Sequence, residues 1–141
     1  MNKKLLYLHT DGGSRGNPGP AAWGFVIKDD AGKVLLERGK YIGETTNNVA
    51  EYSALIEGLK SILEMDASDV IIKMDSELIV RQMTGKYKIK QPHLIELAAQ
   101  VRISLQQLQS YKFEHVLRAF NKEADRQVNI ALDELDHRAP L

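Results

Sequence analysis

The sequence predicts a single α/β domain, residues 1–141, in which helices pack on a five-stranded mixed sheet in the order βββαβααβα. Three observations support this class. The chain begins with β-rich runs that are separated by turn residues. A segment follows in which apolar residues recur every three or four positions, as in a helix. After it, short apolar runs alternate with helical segments. With 43% hydrophobic and 27% charged residues, the chain can bury one core, and it has no long uncharged apolar stretch that would span a membrane.

The first strand is predicted at residues 5–10, because the Gly- and Pro-rich stretch 11–20 cannot continue a strand or start an ordinary helix. Two more β-rich runs, residues 21–28 and 33–42, flank residues 29–32, whose acidic and Gly residues suit a short hairpin turn. Three antiparallel strands result.

The apolar period becomes helical over residues 48–65, with Asn47 or Asn48 as the cap. Residues 70–74 form a short continuous apolar run, which is typical of a strand buried inside the sheet. Ser76 is a good N-cap for the next helix, and Gly85 closes it. The remaining predictions are helices at residues 77–84, from 92 or 93 to 109 and at 122–135, a strand at 111–117, and a loose tail at 136–141.

Composition excludes several classes of function. The 19 basic and 19 acidic residues give a formal net charge of zero, which argues against a histone-like polyanion binder. The chain has no cysteine, which excludes disulfides, thiolate metal sites and cysteine nucleophiles and is compatible with a reducing compartment. Asp11 interrupts the N-terminal apolar run too early for a signal peptide, so we expect a cytoplasmic protein.

Two acidic residues stand at predicted strand ends. Asp11 ends the first strand at the start of the Gly-rich loop, and Asp75 ends the fourth strand just before a helix. Each alone is explained as a turn or helix-start residue. The pair is more informative, because sites in sheets of this kind are usually built at strand ends.

Two further carboxylates lie on predicted helices. Glu51 falls on an apolar stripe, which is costly unless the carboxylate is paired, bound to metal, or stabilised by the helix N-terminus and water. Asp125 borders the stripe of the last helix, where alone it would be a common N-terminal acid. Converging carboxylates repel unless cations neutralise them, and oxygen-only ligands select hard ions such as Mg²⁺ or Mn²⁺. The constellation therefore predicts a metal-dependent phosphoryl-transfer site.

Four segments resemble the motifs of the type 1 ribonuclease H family. They are residues 10–24 (TDGGSRGNPGPAAWG), 45–51 (TTNNVAE), 74–76 (MDS) and 121–125 (NKEAD). The resemblance spans nearly the whole chain and implies a ribonuclease H fold with strand order 3-2-1-4-5. It also implies an endonuclease that cuts the RNA strand of RNA–DNA hybrids and leaves 5′-phosphate and 3′-hydroxyl ends.

The resemblance assigns the family's four acidic ligands to Asp11, Glu51, Asp75 and Asp125. In the two-metal mechanism that it implies, one Mg²⁺ or Mn²⁺ ion activates the attacking water and the other stabilises the leaving 3′-oxygen. Asp11 would contact both ions, and Asp75 and Asp125 would hold the ion on the nucleophile side. Glu51 would serve the other ion and help to select a ribose 2′-hydroxyl.

The resemblance also implies substrate contacts by Gly12, Gly13, Asn17, Thr46, Asn47 and Glu77. The glycines let the backbone approach nucleic acid closely. Asn17, Asn47 and Glu77 match positions that meet sugar or base edges in the minor groove, and Thr46 matches a contact to a DNA-strand phosphate. Turn and cap hydrogen bonding explains the two asparagines and the threonine equally well.

The loop before the last helix departs from the best-known pattern. Many relatives carry a histidine there, proposed to shuttle protons, whereas residues 117–121 (LRAFN) contain none. Some family members share the arginine of this loop, so we expect Arg118 to bind the scissile phosphate, although arginine cannot shuttle protons near neutral pH. His115 falls within the predicted strand, where a packed or surface role is favoured over catalysis.

A second departure follows the Asp75 helix, where several relatives insert a basic helical protrusion that grips the DNA strand. Here only residues 85–92 connect to the next helix. Lys86, Lys88 and Lys90 alternate with apolar residues, so an extended chain would place three cations on one side, as a solubilising loop or as a DNA-strand contact. With zero net charge, we expect weak and strongly salt-sensitive binding.

Two alternative functions stay open. The arginine-containing loop makes additional cleavage of double-stranded RNA worth testing. The other alternative is a catalytically inactive module that binds the hybrid. All four carboxylates are present, which argues against it, because a protein that only binds nucleic acid would bind more tightly without that negative charge. The expected partner is an RNA–DNA hybrid, with no membrane, and we expect a monomer.

Overall fold

The computed structural model describes residues 3–138, with side chains up to residue 134, and contains the predicted order of elements. The strands are β1 (Leu5–Ser14), β2 (Gly19–Lys28), β3 (Val34–Thr45), β4 (Asp69–Met74) and β5 (Ser110–His115), and the helices are α1 (Asn47–Glu64), α2 (Glu77–Met83), α3 (Pro92–Leu105) and α4 (Lys122–Arg138). The fold class is confirmed. Within residues 3–138, no helix is long and apolar enough to cross a membrane.

The sheet has the strand order β3-β2-β1-β4-β5. β1 is antiparallel to β2 but parallel to β4, and β4 is parallel to β5. β4 therefore lies inside the sheet, as its apolar run predicts. Because β1 and β4 are parallel neighbours, their carboxyl ends meet at one edge of the sheet.

The two faces of the sheet are covered by different helices. Alternate residues of a strand point to opposite faces, so Trp23 and Phe25 of β2 join the large core with α1 and α3, while Ala22 packs against Val128 of α4. The α4 helix lies very close to the sheet, since a Cβ on Gly39 would sit 2.3 Å from the carbonyl oxygen of Gln127. This close approach carries the first turn of α4 to the edge where β1 and β4 end.

The prediction that the Gly-rich stretch ends β1 is wrong. β1 continues through Asp11 to Ser14, with Gly12 opposite Trp23 and Gly13 opposite Ala22 of β2. The neighbouring strand supplies the hydrogen bonds that keep these residues extended, although glycine itself disfavours a strand. Asp11 is therefore held inside the sheet, whereas the prediction placed it at the start of a loop.

The N-cap of α1 is Thr46, whereas Asn47 or Asn48 was predicted. The Thr46 hydroxyl accepts a hydrogen bond from the Val49 N–H, while the Asn47 side-chain oxygen accepts one from the Ser14 N–H. Ser76 caps α2 as predicted.

Several element ends also differ from prediction: β3 continues to Thr45, α3 ends at Leu105, β5 ends at His115, and α4 continues to Arg138. The rest of the predicted tail, residues 139–141, lies outside the described residues.

Candidate active site

Four acidic side chains from separate parts of the chain meet at the sheet edge where β1 and β4 end. Asp11 lies on β1, Asp75 directly follows β4, Glu51 is on the second turn of α1 and Asp125 is on the first turn of α4. One carboxylate oxygen from each of Asp11, Glu51 and Asp75 lies within 4.8 Å of the others. Asp125 lines the same cleft as these three side chains. The structure thus brings together all four predicted acidic residues.

Glu51 is buried, at 8% exposure, and is held by the backbone of β1. The N–H of Gly12 donates to Glu51 Oε1 over 2.7 Å and lies 3.0 Å from Asp11 Oδ1. A Cβ at Gly12 would sit 2.3 Å from the carbonyl carbon of Ala50. Glycine is therefore required at this position, because it lets α1 approach β1 closely enough for the two carboxylates to share one N–H.

The cluster is electrostatically strained without a cation. Burial raises the pKa of Asp11 to about 9, and the charges of Glu51 and Asp75 add to this effect. Burial together with the Asp75 charge raises the pKa of Glu51 to about 8, and burial raises that of Asp75. At neutral pH Asp11 and Glu51 therefore hold protons that a positive ion would displace.

The donor set fits a hard divalent cation. All four side chains offer oxygen atoms, which Mg²⁺ and Mn²⁺ prefer. The Arg118 guanidinium lies 3.8 Å from Asp125 Oδ1, but its side chain is 82% exposed, so it neutralises the buried carboxylates poorly. A bound divalent ion would displace the protons of the buried acids and offset the charge that their carboxylates then carry.

The acidic cluster opens into a cleft of about 470 Å³. Besides the four carboxylates, its lining includes Gly12, Gly13, Arg15, Asn47 and Arg118. Its width and openness suit a polymer that lies across the surface. The predicted glycines, Asn47 and Arg118 therefore share one cleft with the acids.

The remaining predicted contacts have structural partners as well. Asn47 Oδ1 accepts from the Ser14 N–H over 2.8 Å, and Asn17 Oδ1 accepts from the Asn47 N–H over 3.1 Å. Together with the Thr46 cap, these bonds tie the loop after β1 to the start of α1. Glu77 instead pairs with Arg81 at 2.8 Å and lines a separate hollow.

The expected alignment of three lysines is wrong. The chain turns after α2, where the Lys86 and Tyr87 N–H groups both donate to the Arg81 carbonyl. As a result Lys86 lines the hollow beside Glu77, whereas Lys88 lines another one between α2 and α3. Lys86, Lys88 and Lys90 are all exposed, but an extended segment does not present them on one side.

Sequence reasoning missed Asn121, which is 1% exposed. Its Nδ2 donates a buried hydrogen bond to the Thr10 carbonyl over 2.8 Å. The sequence feature that could have identified Asn121 is its position at the start of the NKEAD motif, four residues before Asp125. His115, by contrast, is exposed at the end of β5 and lines the hollow beside Glu77.

Comparisons with known proteins agree with this geometry. Residues 9–131 match the reverse transcriptase-like family. A bifunctional protein of Mycobacterium tuberculosis is 45% identical over 129 residues, which cover 91% of this chain and 35% of that protein. The chain thus spans about a third of the length of this curated relative.

Solved structures match the chain over almost their full length. The N-terminal RNase H domain of the M. tuberculosis protein has a TM-score of 0.93 at 41% identity, covering 98% of this chain and 100% of that one. RNase H1 of Halobacterium salinarum gives 0.90 at 38% identity, covering 92% and 98%. LC11-RNase H1, solved in complex with an RNA/DNA hybrid, gives 0.87 at 47% identity, covering 92% and 98%. The chain therefore belongs to the reverse transcriptase-like family and, within it, to the type 1 ribonucleases H.

Proposed function

We propose that this chain is an endonuclease that hydrolyses the RNA strand of RNA–DNA hybrids and leaves 5′-phosphate and 3′-hydroxyl ends. The observation that carries the proposal is the meeting of Asp11, Glu51, Asp75 and Asp125 at one end of an open cleft. The hybrid complex of LC11-RNase H1, which is 47% identical, supports the choice of substrate.

The four carboxylates would hold Mg²⁺, or Mn²⁺ in its place. When bound, such ions supply Lewis-acid chemistry, activating a water and neutralising the leaving oxygen. The chain's own groups position the reaction. The Gly12 N–H donates to the Glu51 carboxylate, and Arg118, which lies 3.8 Å from Asp125, would bind the scissile phosphate.

Substrate choice is proposed to depend on the wall of the cleft opposite Arg118. Asn47 and Gly13 line it, so they can meet sugar edges in the minor groove, where a 2′-hydroxyl distinguishes RNA from DNA. Asn17 and Thr46 support this wall through the hydrogen bonds described above. Glu77 is proposed to meet a sugar or base edge in the minor groove, and Thr46, Lys86, Lys88 and Lys90 are proposed to contact the DNA strand.

The proposed working form is a cytoplasmic monomer. The absence of cysteine is compatible with a reducing compartment. Size-exclusion chromatography with light scattering tests the monomer directly.

The decisive experiment incubates the purified protein with end-labelled duplexes in Mg²⁺, Mn²⁺ or chelator. The duplexes are RNA–DNA, RNA–RNA, DNA–DNA and DNA with a single ribonucleotide. Protein carrying Asp11→Asn and purified identically is the control for contaminating host nuclease. We expect metal-dependent cutting confined to the RNA of the hybrid.

Other outcomes of this panel have definite meanings. Additional cutting of RNA–RNA would extend the activity to double-stranded RNA. Binding of the hybrid without cleavage in either metal would refute the nuclease and support an inactive binding module. Equal cleavage by the Asp11→Asn protein would show that the activity belongs to a contaminant.

A further inference from the structure

Two large apolar side chains stand exposed on the loop that carries Arg118, a residue that lines the acidic cleft. Phe120 is 71% exposed and Leu117 is 67% exposed, the highest values among the large hydrophobic side chains of the described residues. They flank Arg118, which lines the cleft. Isolated exposed hydrophobic residues are ordinary, but a pair at the rim of a functional cleft marks a contact surface.

The backbone prevents these side chains from folding into the core. Residues 118–120 form a 3-10 turn, closed by the Phe120 N–H donating to the Leu117 carbonyl over 2.8 Å. Both ends of the loop are tied to the sheet: the Val116 N–H donates to the Met74 carbonyl, and the Asn121 side chain donates to the Thr10 carbonyl. Phe120 therefore projects outward next to an anchored residue.

The chemistry of the rim matches a nucleotide. A guanidinium binds phosphate, and an aromatic face next to it offers a stacking surface to a base or an apolar surface to a ribose. A protein partner fits less well, because stable protein interfaces bury about 800 Å² on each side. The next most exposed large hydrophobic residue, Ile103, lies on α3 and does not extend this loop's patch.

We propose that Phe120, supported by Leu117, is a substrate contact that packs against a base or ribose of the strand whose phosphate Arg118 binds. This inference rests on the proposed function. It assigns to the loop an apolar role in addition to the charge of Arg118. Such a contact adds affinity that salt does not screen, which matters for a chain with no net positive charge.

The test compares Phe120→Ala, Phe120→Trp and Leu117→Ala with the matched control Ile103→Ala, which is 61% exposed on α3. Hybrid binding is measured by fluorescence anisotropy over a salt series, with all variants in an Asp11→Asn background that does not cleave. KM and kcat are measured in parallel on proteins with Asp11 intact. Thermal melts establish that each variant is folded.

We expect Phe120→Ala to raise Kd and KM about fivefold or more, with kcat and the salt slope of log Kd unchanged. Leu117→Ala should weaken binding less, and Phe120→Trp and Ile103→Ala should bind within about twofold of their parent. Unchanged Kd and KM in a folded Phe120→Ala protein would overturn the inference and leave a protein partner as the occupant. An equal loss in Ile103→Ala would overturn it as well.

Failure of the proposed function would give a different result. In that case the protein with Asp11 intact would cleave no hybrid in Mg²⁺ or Mn²⁺. If it cleaves and Phe120→Ala cleaves with the same KM, only the present inference is lost.

Discussion

Asn121 and Thr10 are joined by a buried hydrogen bond, in which Asn121 Nδ2 donates to the Thr10 carbonyl oxygen over 2.8 Å. Thr10 immediately precedes Asp11 on β1. The Asn121 carbonyl accepts the Asp125 N–H over 3.1 Å in the first turn of α4. One residue thus ties the strand that carries Asp11 to the helix that carries Asp125.

We expect Asn121→Ala to lower the free energy of unfolding by about 1–3 kcal/mol, because the Thr10 carbonyl is left buried without its donor. Affinity for Mn²⁺ should also fall, about tenfold, since the strand that carries Asp11 and the helix that carries Asp125 lose a shared support. Urea denaturation and calorimetric titration with Mn²⁺ measure the two effects.

The matched control for this change is Asn129→Ala, on the exposed side of the same helix, where Nδ2 lies 3.2 Å from Asp125. It should change stability by less than about 0.5 kcal/mol. If Asn121→Ala matched this control in both measurements, the buried hydrogen bond would have no organising role.

The pH dependence of the metal-free protein follows from the acidic cluster. Burial raises the pKa of Asp11 to about 9 and that of Glu51 to about 8, so the folded state binds more protons than the unfolded state above pH 4. Stability therefore falls as pH rises from about 4 to about 9. His9 acts in the opposite direction below its unfolded pKa of about 6.5, because burial lowers its folded pKa to about 4.

The test window is accordingly about pH 7.5 to 9, one unit or more above the unfolded pKa of His9, where His9 is largely neutral in both states. In chelator, the Tm of the parent protein should fall by several degrees as the pH rises across this window. The Tm of the Asp11→Asn variant should fall by less, because the change removes the carboxyl group with the highest pKa. Saturating Mg²⁺ should restore Tm at pH 8 to 9 in the parent far more than in the variant. A metal-free Tm that rises across this window would contradict the assigned pKa directions.

The order of strands and helices follows from apolar patterns that are local in the chain, whereas the sheet order and the set of four acids are implied by the resemblance of short motifs to the type 1 ribonuclease H family. The features that were not predicted depend on contacts with residues that are distant in the chain. Gly12 and Gly13 stay in β1 because Trp23 and Ala22 pair with them, and a local reading of glycine favours a loop.

The same reason explains the other differences. Thr46 becomes the cap because Ser14 occupies the Asn47 side chain. Asn121 acts through a residue 111 positions away in the chain, so nothing in its own neighbourhood marks it as buried. The segment that carries Lys86, Lys88 and Lys90 turns because the Lys86 and Tyr87 N–H groups donate to the Arg81 carbonyl at the end of α2. The alternation of lysine with apolar residues does not reveal these hydrogen bonds.

Replacement of Asp11 by Asn should abolish cleavage while leaving the fold intact. We expect kcat to fall by at least about a hundredfold, because the change removes a charge at the centre of the metal-binding cluster. Hybrid binding should remain within about threefold. The control is Asp133→Asn, an exposed acid on α4 that pairs with Arg15 and should keep near-normal turnover. Substantial residual cleavage by Asp11→Asn would refute the role given to Asp11.

The last prediction separates the two candidate residues near the final loop. Arg118 lies 3.8 Å from Asp125 at the rim of the cleft, whereas His115 is exposed at the end of β5 beside Glu77. Arg118→Ala should therefore lower kcat/KM about tenfold or more through the lost phosphate contact, and it should reduce the salt slope of hybrid binding by about one. His115→Ala should change neither. Steady-state kinetics on a labelled hybrid at several salt concentrations decide the ranking, and a larger loss in His115→Ala would mean that β5, and not the 3-10 turn, supplies the catalytic group of this region.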